Sequence, residues 1–311
     1  MRCARCPEEA IVDRPYAGDH LCGSHLSATV ADRFRREMHR QAPRFSRGTV
    51  AVALSGGKDS STALALSVGY FRRRPTVRLV AVSVDEGIAG YRPATLEAAR
   101  KLTGELGVEH RIVRARDDLG TTTDEAVRAL PGTSPCSFCG VWRRNLLNRA
   151  ARAAGADLLV LGFNLDDLAQ TVLMNLARGE VGRMLRMSPH RSRRPGLIPR
   201  VAPLATVPER EVFLYAASNG LPFDHSECPH AAGAERNAFR EALWRLEEAR
   251  PGTRHALLRT REAIADLLER HGGDGSPGRC LACGEPATRA LCRSCEYLKG
   301  LEMTGVGATI G

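Results

Sequence analysis

The stretch Thr49-Val-Ala-Val-Ala-Leu-Ser-Gly-Gly-Lys-Asp-Ser60 decides how the rest of the chain is read. Val50 to Leu54 is a short apolar run ended by glycines, the pattern of a strand buried on both faces. Ser60 to about Tyr70 is an apolar run of helical length. Between them, Ser55-Gly-Gly-Lys-Asp-Ser60 occupies a strand-to-helix turn, where free backbone N–H groups and the positive helix end attract phosphate. Gly56 and Gly57 let the backbone come close, Ser55 and Ser60 add hydroxyl donors, and Lys58 adds charge. A Walker A loop needs G-x-x-x-x-G-K-[ST], which is absent here. An ordinary glycine turn is the plainer alternative.

Downstream, strands and helices alternate. A strand over Val77 to Val84 ends at Asp85-Glu86-Gly87, followed by a helix from about Ala94 to Leu106 and a short strand near Ile112. Helix Val141 to Ala154, strand Leu158 to Gly162 and helix Asp166 to Ala177 continue the series. Such alternation predicts an α/β fold, a parallel sheet covered by helices on both faces. Ser188 to Pro203 is rich in proline and arginine and reads as a loop. From about Glu209 the chain reads as helical to Arg270, and Gly272 to Gly278 reads as a linker. Upstream, a helix over Ser27 to Gln41 carries Val30, Phe34 and Met38 at four-residue spacing, with Arg33, Arg35, Arg36 and Arg40 facing water or RNA. The resulting division is 1–27, a cysteine knuckle; 28–48, a linking helix; 49–225, the α/β domain; 226–271, a helical extension; and 279–299, a second knuckle.

The 311 residues suffice for one α/β domain of about 180–230 residues plus small appendages. Lys and Arg number 45 against 35 acidic residues, a net charge of +10, and the excess is mostly arginine, which pairs bidentately with phosphate. A polyanionic partner fits that balance, although a basic surface alone would give the same number. No apolar run approaches the roughly 18 residues of a membrane span, so a cytoplasmic protein without a membrane partner is expected. Ten cysteines in that compartment point to metal and redox chemistry before disulfides.

The cysteines fall into three groups. Cys3, Cys6, Cys22 and His25 form a Cys₃His set, and Cys280, Cys283, Cys292 and Cys295 a Cys₄ set. Paired CxxC elements suit tetrahedral Zn²⁺, and four ligands each make both sites closed and therefore structural. Arg2, Arg5, Arg279, Arg289 and Arg293 lie near them in sequence and would make them basic platforms for RNA. Cys136, Cys139 and Cys228 remain, and three is the wrong number for a closed zinc site. Three thiolates can hold a 4Fe-4S cluster with one iron open; a CxxC redox pair beside an unrelated Cys228 is the alternative.

Gly162-Phe-Asn-Leu-Asp-Asp167 follows a strand and opens a helix. Asp166 and Asp167 there are either capping acids or ligands for Mg²⁺ at ATP phosphates, with Asp167 able to orient or deprotonate a base. The hexapeptide SGGKDS resembles the PP-loop of the N-type ATP pyrophosphatases, which have an adenine nucleotide alpha hydrolase-like fold. These enzymes cleave ATP between the α and β phosphates and leave AMP on a substrate oxygen. The second stretch resembles the second signature of the tRNA 2-thiolating PP-loop enzymes, with Phe163 in place of their usual His. The likeness extends through Asp85-Glu-Gly-Ile-Ala-Gly-Tyr-Arg92, Cys136-Ser-Phe-Cys-Gly-Val-Trp-Arg-Arg144 and Glu227-Cys-Pro229.

Two branches of that family compete, one thiolating the T-loop ribothymidine and one the wobble uridine. The EGIAGYR stretch, GVWRR and LMNLARG are similar to the wobble branch, and Arg143 stands where the T-loop branch has a catalytic lysine. The resemblance implies ATP contacts at Ala53, Ser55, Gly56, Gly57, Lys58, Asp59, Ser60, Val84, Arg143 and Gly162. It implies chemistry at Lys58, Asp59, Arg143 and Asp167. The cofactors implied are ATP, Mg²⁺, two Zn²⁺ and a 4Fe-4S cluster on Cys136, Cys139 and Cys228; a persulfide on Cys136 or Cys139 is the older alternative mechanism. His230 reads as a local variant and not a fourth ligand. The implied partners are tRNA and a sulfur donor, either a ubiquitin-like carrier with a C-terminal thiocarboxylate or free sulfide; homodimers are common among relatives. Another PP-loop thiolase or ligase, or a zinc-knuckle RNA-binding protein with a vestigial loop, are the rival readings.

Overall fold

The computed structural model describes residues 1–43, 45–187, 189, 194–232, 235–270 and 278–305. A hairpin of β1 (Val12–Arg14) and β2 (Asp19–Leu21) precedes α1 (Gly23–Gln41). This helix starts four residues before the expected Ser27. Cys22 is its N-cap, so His25 sits in the first helical turn. Leu26, Val30, Phe34 and Met38 are all buried on one face. They share a single apolar cluster with Cys3, Val12 and Leu21 of the first knuckle and with Val50 and Val52. Each such side chain contributes about 1.5–3 kcal/mol by leaving water.

β3 (Gly48–Ala53), α2 (Lys58–Phe71), β4 (Val77–Asp85), α3 (Arg92–Leu106) and β5 (Glu109–Arg114) follow the expected alternation. Two short helices, α4 (Ala115–Leu119) and α5 (Thr123–Ala129), come next; Thr122 and Glu125 close a reciprocal capping box at the start of the second. Then come α6 (Pro135–Ala153), β6 (Ala156–Val160) and α7 (Leu165–Ala177), and a 3₁₀ turn at Val181–Arg186. α6 begins six residues before the expected Val141. Proline is tolerated at the first helical position because its missing N–H would be unbonded there anyway. Cys136 and Cys139 are therefore helical.

β7 (Arg200–Val201) lies in the stretch expected to be a loop, of which residues 188 and 190–193 are outside the described residues. Only two residues long, it pairs in parallel with β6 and closes that edge of the sheet. The region expected to be helical from Glu209 to Arg270 is divided into α8 (Glu209–Ser218), α9 (Arg236–Ala249) and α10 (Thr253–Arg270); between the first two, residues 219–232 are not helical. The expected linker falls mostly on residues 271–277, outside the described residues. The chain ends in β8 (Gly278–Arg279), β9 (Pro286–Ala287) and α11 (Arg293–Glu302).

The central sheet is all parallel, in the order β5-β4-β3-β6-β7. Successive side chains of a strand alternate between faces. Val50 and Val52 accordingly pack with α1, α2 and α3, while Ala51 packs with Ala150, Ala151 and Ala154 of α6 on the other side. A third cluster joins α6 to α11 through Phe138, Trp142, Leu146, Leu298 and Leu301. The second knuckle is thus mounted on the helix that carries Cys136 and Cys139. No described helix is long and apolar enough to cross a membrane.

Candidate active site

The chain builds outward from β3 first to β4 and β5, then crosses to β6 and β7. The strand order reverses between β3 and β6, and open parallel sheets bind ligands in the crevice beyond the strand ends at such a point. Ala53 ends β3, Val84 is the penultimate residue of β4, and Gly162 lies two residues past β6. The loop Ser55–Ser60 fills the mouth of that crevice. Ser60 Oγ accepts from the Ser55 N–H at 3.1 Å and donates to the Gly57 carbonyl at 2.9 Å, fixing the turn from inside. Gly57 is the N-cap of α2, so the first N–H groups of that helix have no intrahelical partner and are open to phosphate oxygens.

Gly56 has φ +89°, and a Cβ there would lie 1.8 Å from the Thr95 carbonyl oxygen. Gly56→Ala is expected to abolish nucleotide binding while the far side of the sheet stays folded. Calorimetric titration with a non-hydrolysable ATP analogue, beside circular dichroism, checks this; ATP affinity within about threefold of wild type would show that the loop tolerates the change. At Gly162 a Cβ would be 3.0 Å from backbone atoms of Asp59 and Ser60, which explains a glycine where β6 meets α2.

Lys58 Nζ donates to Asp59 Oδ2 at 3.1 Å and to Glu209 Oε1 at 2.7 Å. Burial works against its charge, but these carboxylates prevail and hold the ammonium above its usual range. Asn164 caps α7 and bonds to both motifs: its amide donates to Asp59 Oδ1 at 2.9 Å, and its Oδ1 accepts from the Asp167 N–H at 2.9 Å. Burial, then the neighbouring Asp59 charge, pushes Asp167 up to about 6, partly countered by Arg236 at 3.1 Å.

Asp166, the other residue expected at Mg²⁺, joins three helices in this structure. One of its oxygens accepts from the Glu209 N–H at 2.8 Å and the other pairs with Arg254 at 3.1 Å, so it braces α8 and α10 against α7. The carboxylates at Lys58 are Asp59 and Glu209, while Asp167 faces Arg236.

A line of contacts leads from this loop to the sulfur-bearing residues. Arg92 Nη1 donates to the Ser55 carbonyl at 3.0 Å, and Nη2 donates to the Val84 carbonyl. Arg92 Nε is 2.7 Å from Glu86 Oε2, and Arg143 Nε is 2.6 Å from Glu86 Oε1. Arg143 Nη2 then reaches Cys139 Sγ at 3.4 Å. Glu86 and Arg92 are buried, whereas Arg143 is half exposed. The Glu86 charge holds the Arg143 guanidinium protonated beyond its ordinary range.

Cys136 and Cys139 sit three residues apart at the start of α6, hence on one face and beside the positive helix end. Cys228 enters from the 219–232 segment and packs against the same apolar cluster as Cys139. All three are free thiols, Cys136 exposed and Cys139 buried. They are not among the sets whose ligand atoms lie mutually within 4.8 Å among the described residues. A single tetrahedral zinc requires S···S edges of about 3.8 Å from bonds of about 2.3 Å. The more open set suits a polynuclear cluster. His230, next to this loop, has its Nε2 2.7 Å from Asp124 Oδ1, which ties the segment to α5.

Both four-ligand sets do meet the 4.8 Å limit, Cys3, Cys6, Cys22 and His25 in one, Cys280, Cys283, Cys292 and Cys295 in the other. Cys6 and Cys22 sulfurs are 3.6 Å apart, and Cys283 and Cys292 sulfurs 3.7 Å, close to a tetrahedral edge. Backbone N–H groups of Arg5 and Cys292 approach Cys3 and Cys280 sulfurs, stabilising thiolates.

Reasoning from sequence missed Glu86, Arg92, Glu209 and Asn164 as parts of the site. Glu86 and Arg92 had one usable signal: opposite charges six residues apart, flanking the turn between a strand and a helix.

Residues 29–247 match the family described as PP-loop domain, and residues 2–27 match the N-terminal LIM domain of 2-thiouridine synthetase TtuA. The chain is 37% identical over 319 residues to tRNA 2-thiolation protein NcsA of Haloferax volcanii, covering 97% of this chain and 99% of that one. It is 38% identical over 310 residues to cytoplasmic tRNA 2-thiolation protein 1 of Bos taurus, covering 96% and 88%. The structure of U34-tRNA thiolase NcsA from Methanococcus maripaludis with its 4Fe-4S cluster superposes with a TM-score of 0.84 at 33% identity, covering 97% and 96% of the two chains.

Proposed function

We infer the function from the premise that the chain belongs to the PP-loop family of tRNA 2-thiolation proteins. It is an ATP-dependent tRNA 2-thiouridine synthetase, acting on the wobble uridine. One observation carries this reading: Arg92, Glu86 and Arg143 join the phosphate loop to Cys139 without a break. An ATPase unrelated to sulfur chemistry has no use for that connection.

ATP phosphates rest on the first N–H groups of α2 with Lys58 above them. The C2 oxygen of the uridine attacks the α-phosphorus; a C2–O–P bond forms, the bond to the β-phosphate oxygen breaks, and pyrophosphate leaves. Lys58 and Arg143 stabilise the charge that develops on the phosphate oxygens. Asp167 accepts the N3 proton of the uridine, since a carboxyl group with a pKa of about 6 is ionised at neutral pH and still basic. A 4Fe-4S cluster held by Cys136, Cys139 and Cys228 supplies, when bound, an open iron that presents sulfide to C2. Hydrosulfide delivered there would form the C2–S bond as the C2–O bond breaks, its proton returning to N3; AMP would depart with the original oxygen, and Lys58 again neutralises the leaving phosphate.

Mg²⁺ bound with ATP would be held at Asp166 and Asp167, and two Zn²⁺ at the knuckles. The sulfide comes from the thiocarboxylate of a ubiquitin-like carrier or from the free ion. We place the reaction in the cytoplasm, on tRNA.

Protein reconstituted anaerobically with iron and sulfide, given ATP and tRNA, is expected to release pyrophosphate and to form 2-thiouridine at the wobble position. No pyrophosphate with any tRNA defeats the reading, and sulfur mapped to the T-loop moves the target. Asp167→Asn is expected to lower pyrophosphate release by about 10²–10⁴-fold, measured in single turnover; an unchanged rate removes Asp167 from proton transfer.

A further inference from the structure

Arg144 and Arg200 have no part in the chemistry above. Near the site, Arg143 faces Glu86, Arg236 faces Asp167 and Arg254 faces Asp166. Among the described residues, neither the Arg144 nor the Arg200 guanidinium has a hydrogen bond or an ion pair, and Arg200 Nε is buried without a partner. Both line one cleft. Its walls are α6, which contributes Arg144, the β7 edge, which contributes Arg200, and the second knuckle, which contributes Arg293 and Ser294. The carboxylate in its wall, Glu285, is already engaged by Arg152 and lies within 3.5 Å of the Asn148 amide.

The two charges also work against each other. Burial and the nearby Arg144 push Arg200 down to about 10, and burial together with Arg143 and Arg183 lowers Arg144. Holding the half-buried Arg200 unpaired beside a second cation costs free energy, which a bound anion would offset. Planar guanidinium forks suit an oxyanion with several acceptor atoms, phosphate above all.

The surroundings favour a polymer of phosphates. An adjoining cleft shares Arg293 and adds Arg183, Arg186, Arg194 and Arg289, extending the basic surface along the knuckle. In the other direction, Arg144 lies five residues along α6 from Cys139, about 7.5 Å of helix axis. A strand seated here passes close by the reacting centre.

We propose that the cleft between α6, β7 and the second knuckle seats a backbone phosphate of the RNA substrate on Arg144 and Arg200, setting the register at which the target base reaches Cys139. The assignment rests on the functional reading above and is tested apart from it. Fluorescence anisotropy with labelled tRNA, over a salt series, compares the full-length chain with Arg144→Ala/Arg200→Ala. The double variant is expected to bind tRNA about tenfold more weakly, and the slope of log K against log salt to fall by about one. Affinity for an ATP analogue stays the same. Arg144 is exposed, so Arg144→Ala alone carries the test should the double variant not fold; it is expected to lose about half as much on a logarithmic scale. Arg144→Lys/Arg200→Lys is expected to keep most of the slope because the charges remain.

Wild-type affinity and slope in the alanine variants would overturn the phosphate site. So would unchanged tRNA binding with sulfur transfer lost from a carrier protein but kept from free sulfide, which would assign the cleft to an acidic protein surface. Failure of the wild-type chain to bind any tRNA would instead overturn the functional reading, and this site with it.

Discussion

Arg143→Ala is expected to slow 2-thiouridine formation by about 10²–10³-fold with the fold retained. The side chain is 52% exposed, so its removal opens no cavity. It is nonetheless the last link to Cys139, with Nη2 3.4 Å from the sulfur. Arg143→Lys keeps the charge but cannot hold Glu86 and Cys139 at once, so an intermediate rate is expected. Glu86→Gln makes a useful contrast. It leaves Arg92, 3% exposed, without a counter-charge, and breaking a buried ion pair from one side costs about 3–5 kcal/mol. That variant is expected to melt at a clearly lower temperature, while Arg143→Ala is not. Single-turnover thiolation beside thermal melts separates the two effects, and a wild-type rate for Arg143→Ala would show that the line of contacts serves structure alone.

Cys228→Ala is expected to abolish thiolation, to below about one-thousandth of the wild-type rate, and to remove the brown absorbance of reconstituted protein. Zinc content is expected to stay at about two ions per chain, because neither knuckle uses this residue. The absorbance and the metal analysis read the centre directly, so they distinguish a lost cluster from a lost step elsewhere. Thiolation that survives the change would refute the three-thiol assignment and favour a persulfide on Cys136 or Cys139.

Much of this site was legible because its parts are local. The phosphate loop, the capped start of α7 and the CxxC pairs each depend on residues within a few positions of one another. The start of α6 was harder, since Pro135 and the two cysteines look like a loop. The buried series Phe138, Trp142, Leu146 nonetheless carried the helical period from four residues before Trp142. The break between α8 and α9 was announced by Asn219-Gly-Leu-Pro222, a turn signal lost inside a long polar helical pattern. β7 has two residues and no periodicity to read. The roles of Glu86 and Arg92, and the engagement of Asp166 by α8 and α10, depend on which elements meet in space. Spacing along the chain does not encode that.

Within the 219–232 segment, the Asp224 N–H donates to the Gly56 carbonyl at 2.9 Å. The third thiol is therefore referenced to the nucleotide loop, and its position is inherited from that loop's conformation. His230, bonded to Asp124, holds the other side of Cys228 to α5. The third thiol is thus suspended between two anchors, and a shift of the phosphate loop would be passed to it through four residues of backbone.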